Sequence, residues 1–156
     1  MKILTADITD IEPLTIVEVA SKKDSIPQIV NDFEIDEKSR AHRWITWFRG
    51  ESPQTSKPGR VVYKAVIDDK IVGYIAGHLT TRYNMDAEIQ SFYILKEHQR
   101  NGIGKQLLNS FINWMKQQGA KSLCVGFDPA NPYKSFYLKQ GGKYLNEHWI
   151  IWDDVS

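Results

Sequence analysis

The sequence predicts a single α/β (α+β) domain, one mixed and largely antiparallel sheet with helices on both faces. Three observations lead there. First, two β-rich runs, residues 60–67 (RVVYKAVI) and 71–80 (IVGYIAGHLT), flank the polar turn Asp68-Asp69-Lys70 and read as an antiparallel hairpin. Second, from Gly102 the period becomes helical: Ile103, Leu107, Leu108, Phe111, Ile112 and Met115 recur at spacings of three and four and form one apolar face. Third, residues 87–127 read strand–helix–strand, which predicts one parallel crossover near the middle of the sheet.

The other elements follow in order. Residues 2–6 (KILTA) predict a short first strand. Asp10 is a candidate cap for a helix running through Leu14, Val17 and Ala20, with Pro13 tolerated in its first turn. Residues 36–49 predict a second helix, with Trp44, Trp47 and Phe48 on neighbouring turns. GESPQTSKPG (50–59) gathers turn formers and reads as a loop. Residues 87–95 (AEIQSFYIL) predict a third strand, on which simple alternation puts Glu88, Gln90 and Phe92 on one face. Gly119 stops the amphipathic helix. Residues 122–127 predict a strand, 132–139 a short helix stopped by Gly141-Gly142, and 143–153 a closing strand rich in Tyr and Trp. The expected order is β-α-α-β-β-β-α-β-α-β, and residues 1–156 form one domain.

Composition narrows the function. Hydrophobic residues make up 42% and charged residues 25%, the balance of a soluble globular protein. No apolar run approaches the roughly 20 residues that span a bilayer, and the N-terminal segment lacks a signal-peptide core. The expected compartment is the cytoplasm, without a membrane partner. A net charge of +1, from 20 basic and 19 acidic residues, offers no general attraction to nucleic acid. An anionic ligand then needs a local site. Cys124, the one cysteine, sits in the apolar stretch LCV and reads as a core residue. The histidines at 42, 78, 98 and 148 are scattered, so no metal site is expected. The acidic run Asp32, Glu34, Asp36 and Glu37 reads as a solvated helix start, with attraction for a cationic acceptor as the alternative.

The chemistry concentrates in KEHQRNGIGK, between the third strand and the amphipathic helix. A helix begins with backbone N–H groups that have no partner within it. Gly102 and Gly104 let a bulky anion approach them, and Arg100 and Lys105 add full charges. A nucleoside-triphosphate loop would need a glycine at Gln99 and a Ser or Thr at Gln106. A dinucleotide fingerprint would need a small residue at Leu107. Both fail. What remains is Q-x-x-G-x-G over 99–104.

That loop resembles the acetyl-CoA pyrophosphate loop of the GCN5-related N-acetyltransferase (GNAT) superfamily. NPYKSFYLKQGG (131–142) is similar to the family's N…FY…G segment, although Lys134 stands where an alanine is commoner. The resemblance implies acetyl-CoA as acyl donor, an amine as acceptor, and direct transfer in a ternary complex without metal. It implies that the backbone of Phe92, Tyr93 and Ile94 pairs with the pantetheine arm. It implies that Gln99, Arg100, Asn101, Gly102, Ile103, Gly104 and Lys105 hold the pyrophosphate, and that Asn131 contacts the pantetheine or a structural water. By the same resemblance Tyr137 is the general acid at the CoA sulfur and Glu88 the general base, with Asp86, His78 or a water chain as substitutes for Glu88. The rival function is a non-catalytic acyl-CoA-binding module on the same fold. Trp44, Trp47, Trp149 and Trp152 are candidates for an acceptor pocket, for core, or for a homodimer face. The acceptor stays open among small amines, amino acids, antibiotics, polyamines and protein amines.

Overall fold

The computed structural model describes residues 1–25, 37–131 and 134–156, and the following statements concern those residues. The expected acidic run at Asp32, Glu34 and Asp36 and the expected helix start at Pro132 lie outside them. The elements are β1 (Lys2–Thr5), α1 (Ile11–Ser25), α2 (Glu37–Phe48), β2 (Ser56–Ile67), β3 (Lys70–Thr80), β4 (Ala87–Ile94), α3 (Ile103–Gln117), β5 (Leu123–Gly126), α4 (Lys134–Lys139), β6 (Lys143–Tyr144) and β7 (Trp149–Trp152). The strands form one sheet in the order β1-β2-β3-β4-β5-β7-β6. Every neighbouring pair is antiparallel except β4 and β5. The expected mixed sheet and its single crossover are therefore present.

Local chemistry explains most boundaries. Asp68 (φ 50°) and Asp69 (φ 63°) both take the left-handed conformation that a two-residue hairpin requires. The turn is thus shorter than expected, and Lys70 already pairs with Ile67. β2 starts at Ser56, inside the stretch expected to be loop, because Arg60 gathers that stretch. Its guanidinium donates to the carbonyls of Trp47 and Ser52 and to Ser56 Oγ. Asp10 does not cap α1 as a simple N-cap. It closes a capping box with Asp7 one turn earlier, accepting the Asp7 N–H at 3.0 Å. The closing strand is two strands rather than one. Asn146 Oδ1 accepts the His148 N–H at 2.9 Å, and this side-chain turn folds β6 back onto β7.

The sheet separates two cores. One face packs Ile75, Ile89, Leu123 and Ile150 against Leu107, Leu108, Phe111 and Met115 of α3. The other packs Val62, Tyr74 and Ala76 against Leu14 and Val17 of α1 and Trp44 and Trp47 of α2. Gly77 lets α3 close down: a Cβ there would stand 2.3 Å from Phe111 Cε2 and 2.6 Å from the Glu88 carbonyl oxygen.

One irregularity in β4 matters for function. Ala76 pairs with Ser91, but Gly77 pairs with Ile89, so Gln90 is an extra residue, a β-bulge. Alternation is reset there. Ile89, Phe92 and Ile94 all pack in the α3-side core, whereas Tyr93 joins the α1–α2 side. Glu88 and Phe92 therefore do not share a face, contrary to simple alternation.

Candidate active site

The β4–β5 pairing runs only from Ala87↔Leu123 to Ile89↔Val125. Beyond it β4 continues to Ile94 along β3, while β5 ends at Gly126 beside β7. The two parallel strands part there, and the open edge of β4 carries backbone N–H and C=O groups with no strand beside them. The gap is a cleft of about 290 Å³. Gln90, Ser91, Phe92 and Tyr93 form one wall, Gly126, Phe127 and Asp128 the other, and Asn131 and Tyr137 close it.

The loop 99–105 stands at the end of β4. Gln99 turns its side chain inward and donates from Nε2 to the Ile94 carbonyl at 2.9 Å, tying the loop to the strand. Arg100 (φ 65°) and Gly102 (φ 81°) are both left-handed. Gly102 is the N-cap of α3 and has no side chain to satisfy the first-turn N–H groups, and no acidic residue occupies that turn. Ile103 is buried and anchors the helix in the core. Space is tight at Gly104: a Cβ would lie 3.2 Å from Ile94 Cδ1, close enough to push that methyl aside, and 3.5 Å from Phe136 Cζ. Arg100, Asn101 and Lys105 are exposed. The result is a helix start with bare N–H groups, two cations and no acidic residue in its first turn.

Tyr137 comes from α4. Its ring packs against Phe92 (6.2 Å between centroids), Phe136 (5.8 Å) and Trp152 (6.0 Å). Burial, with the nearby Tyr93 as a lesser cause, pushes its hydroxyl well above the ordinary tyrosine range. The phenol therefore keeps its proton at neutral pH. Tyr93 is raised for the same first reason, and its side chain points away from Phe92 toward α1. Asn131 sits in a turn and donates its N–H to the Asp128 carbonyl at 2.8 Å.

Glu88 is buried, 3% exposed. Its Oε1 accepts from Thr80 Oγ1 at 3.0 Å and from Arg82 Nε at 2.9 Å. The Arg82 guanidinium also lies over the Trp149 ring at 4.9 Å. Asp86 is engaged elsewhere: its Oδ2 accepts the N–H groups of Lys121 and Ser122 at 2.9 and 3.1 Å, and these bonds hold its carboxyl below the usual range. It clamps the start of β5 and is no candidate base. His78 is fully buried beside Gln90. Cys124 is buried too, and burial pushes its thiol up to about 12, so it is no nucleophile at neutral pH.

Trp44, Trp47 and Trp152 are 4–6% exposed and belong to the two cores. Trp149 alone among the four is half-buried, edge-on to the exposed Tyr83 at 5.3 Å. Sequence reasoning missed Gln90, Ser91, Gly126, Phe127 and Asp128 in the cleft, and Arg82 beside Glu88. A glycine next to the end of a predicted strand was the one available signal, at Gly126. Among the described residues no group of His, Cys, Asp and Glu is placed to hold a metal ion, and no helix is long and apolar enough to cross a membrane.

The fold matches solved acetyltransferase structures along nearly its whole length. One is PaiA N-acetyltransferase from Thermoplasma acidophilum in complex with coenzyme A, with a TM-score of 0.75, 20% identity and 99% of each chain covered. A second is an acetyltransferase from Thermus thermophilus, with a TM-score of 0.72, 18% identity, and 98% of this chain and 97% of the other covered. A third is a GNAT family acetyltransferase from Brucella melitensis in complex with acetyl-CoA, with a TM-score of 0.68, 15% identity, and 99% and 90% covered. No curated protein sequence matches significantly. The sequence profile of the acetyltransferase (GNAT) family matches residues 23–141. That span holds the parted strands, the glycine loop and Tyr137, and the chain belongs to the acetyltransferase (GNAT) family.

Proposed function

We propose that the protein is an N-acetyltransferase that moves the acetyl group of acetyl-CoA directly to an amine. The observation that carries this reading is the parting of β4 and β5, with an unpaired strand edge on one side and a protonated phenol on the other. In this reading the pantetheine arm adds to the open edge of β4 at Phe92, Tyr93 and Ile94, as an extended chain adds to a sheet. The pyrophosphate lies at the start of α3, on the N–H groups of Ile103, Gly104 and Lys105 and the cations of Arg100 and Lys105. Asn101 and the Gln99 and Gly102 backbone shape that cradle, and Asn131 borders the pantetheine.

The chemistry follows. The amine nitrogen attacks the thioester carbon, and a C–N bond forms. A β4 backbone N–H steadies the oxyanion of the tetrahedral intermediate. The C–S bond breaks, and the Tyr137 O–H gives its proton to the departing thiolate. The proton lost by the amine passes to Glu88, directly or through water, at the oxygen that Thr80 and Arg82 leave uncovered. The acceptor approaches from the Glu88 face of the sheet, beside Arg82, Tyr83 and Trp149. Thiol release from acetyl-CoA across a panel of amines tests the proposal. Amine-dependent release supports it. Saturable CoA binding with no release for any amine would favour the non-catalytic module.

A further inference from the structure

An imidazole taken wholly out of water must find partners for both ring nitrogens. His78 on β3 is such a ring, 0% exposed. Its Nδ1 lies 2.8 Å from the Leu79 carbonyl oxygen, which only accepts, so Nδ1 carries a hydrogen. Its Nε2 lies 3.2 Å from Gln90 Oε1. Gln90 is the bulge residue of β4, is exposed, and forms part of the cleft wall. A buried ring and a cleft-facing amide are thus joined across two strands.

The charged neighbours of His78 are directed elsewhere. Arg60, its pairing partner on β2, points at Trp47, Ser52 and Ser56. Glu88, its partner on β4, is taken by Thr80 and Arg82. From α2 the neighbour is the Trp47 ring, 6.4 Å away between centroids. Nε2 is thus left to the Gln90 amide. A half-turn of that amide exchanges oxygen for NH2 at the ring, so the end that the ring does not use is presented to the cleft.

We propose that His78, acting through Gln90, is a positioning residue for the acceptor amine. This rests on the amine-transfer reading. With the ring hydrogen on Nδ1, Nε2 accepts from the Gln90 NH2 once the amide has made that half-turn, and the amide oxygen then faces the cleft. There it accepts one N–H of the attacking amine and leaves the nitrogen lone pair aimed at the thioester carbon. An attacking nitrogen that is not held this way is reached through many unproductive orientations.

The test is steady-state kinetics with acetyl-CoA and the best amine of the panel, on His78→Phe, Gln90→Leu and the double variant. Phenylalanine keeps the ring volume and removes both nitrogens. Each single variant is expected to lower kcat/KM for the amine about tenfold, mainly through KM, with CoA affinity by calorimetry unchanged within twofold. The double variant should be no worse than the worse single one, since both break the same link. His78→Gln, which returns an amide toward Gln90, should recover part of the loss. Additive losses, unchanged kinetics, or a parallel loss of CoA affinity would overturn the inference. If His78→Phe does not fold, the exposed Gln90→Leu decides alone. A wild-type protein that binds CoA but releases no thiol overturns the transfer reading and the inference with it. An active wild type with unaffected variants overturns the inference only.

Discussion

Replacing Arg100 by glycine separates two roles that the loop combines. Arg100 is held at φ 65°, a conformation that costs a side-chain-bearing residue about 1–2 kcal/mol. Glycine removes that cost but loses roughly 0.5–1 kcal/mol more backbone entropy on folding. The net effect is a stabilisation of about 0.5 kcal/mol, or a rise in Tm of about 1–2 °C for a chain of this size. The guanidinium is exposed and no hydrogen bond among the described residues engages it, so no folded-state contact is lost. CoA binding should move the other way. A charge-assisted contact to phosphate at an exposed site is worth roughly 1–1.4 kcal/mol, below the buried value, which raises Kd about five- to tenfold. Thermal denaturation of the free protein and calorimetry with CoA measure the two effects. A Kd unchanged within twofold would remove Arg100 from the ligand site. A Tm several degrees lower would mean that the side chain, rather than the backbone, shapes the turn.

Three further expectations follow from the same geometry. Tyr137→Phe keeps the ring contacts with Phe92, Phe136 and Trp152, so stability and CoA affinity should hold while kcat falls by about 10²–10⁴, read by stopped-time thiol release; an unchanged kcat would take Tyr137 out of the mechanism. Gly77→Ala drives a methyl group into Phe111 and the Glu88 carbonyl, and should cost about 3 kcal/mol in urea denaturation; a neutral substitution would mean that α3 is not packed this closely. Asp86 has a folded-state pKa below its unfolded value, because the N–H groups of Lys121 and Ser122 bind the carboxylate. Its contribution is therefore present above about pH 4 and is lost as pH falls through the lowered value. Asp86→Asn should flatten that part of the acid-denaturation curve, and an identical curve would contradict the clamp.

The parts legible in the sequence were those set by local chemistry. Asp68-Asp69 marks a tight hairpin because those residues tolerate the left-handed conformation, and the spacing from Ile103 to Met115 fixes the buried face of α3. The glycines of the loop could be read as an anion site, although the sequence could not separate their reasons. Gly102 serves conformation, with nothing within 4 Å of a Cβ, and Gly104 serves space. What escaped depended on tertiary register. The bulge at Gln90 follows from how β3 and β4 pair, which no alternation pattern within β4 contains. The Glu88–Arg82 ion pair needs the turn at 82–84, where Tyr83 and Asn84 are both left-handed. Trp44 and Trp47 fit core and pocket equally well by composition, and only the packing against Tyr74 and Val62 decides. The split of the last strand rests on one side-chain turn at Asn146.

The central claim is that the gap between β4 and β5 receives acyl-CoA. Backbone amide chemical-shift mapping by NMR, with CoA added to the full chain, addresses it residue by residue. The account predicts saturable shifts concentrated at Ser91–Ile94, at 102–105 and around Asn131 and Tyr137. No shifts at millimolar CoA would contradict it. So would shifts centred on the separate hollow lined by Leu4, Pro13, Ile16 and Ile71.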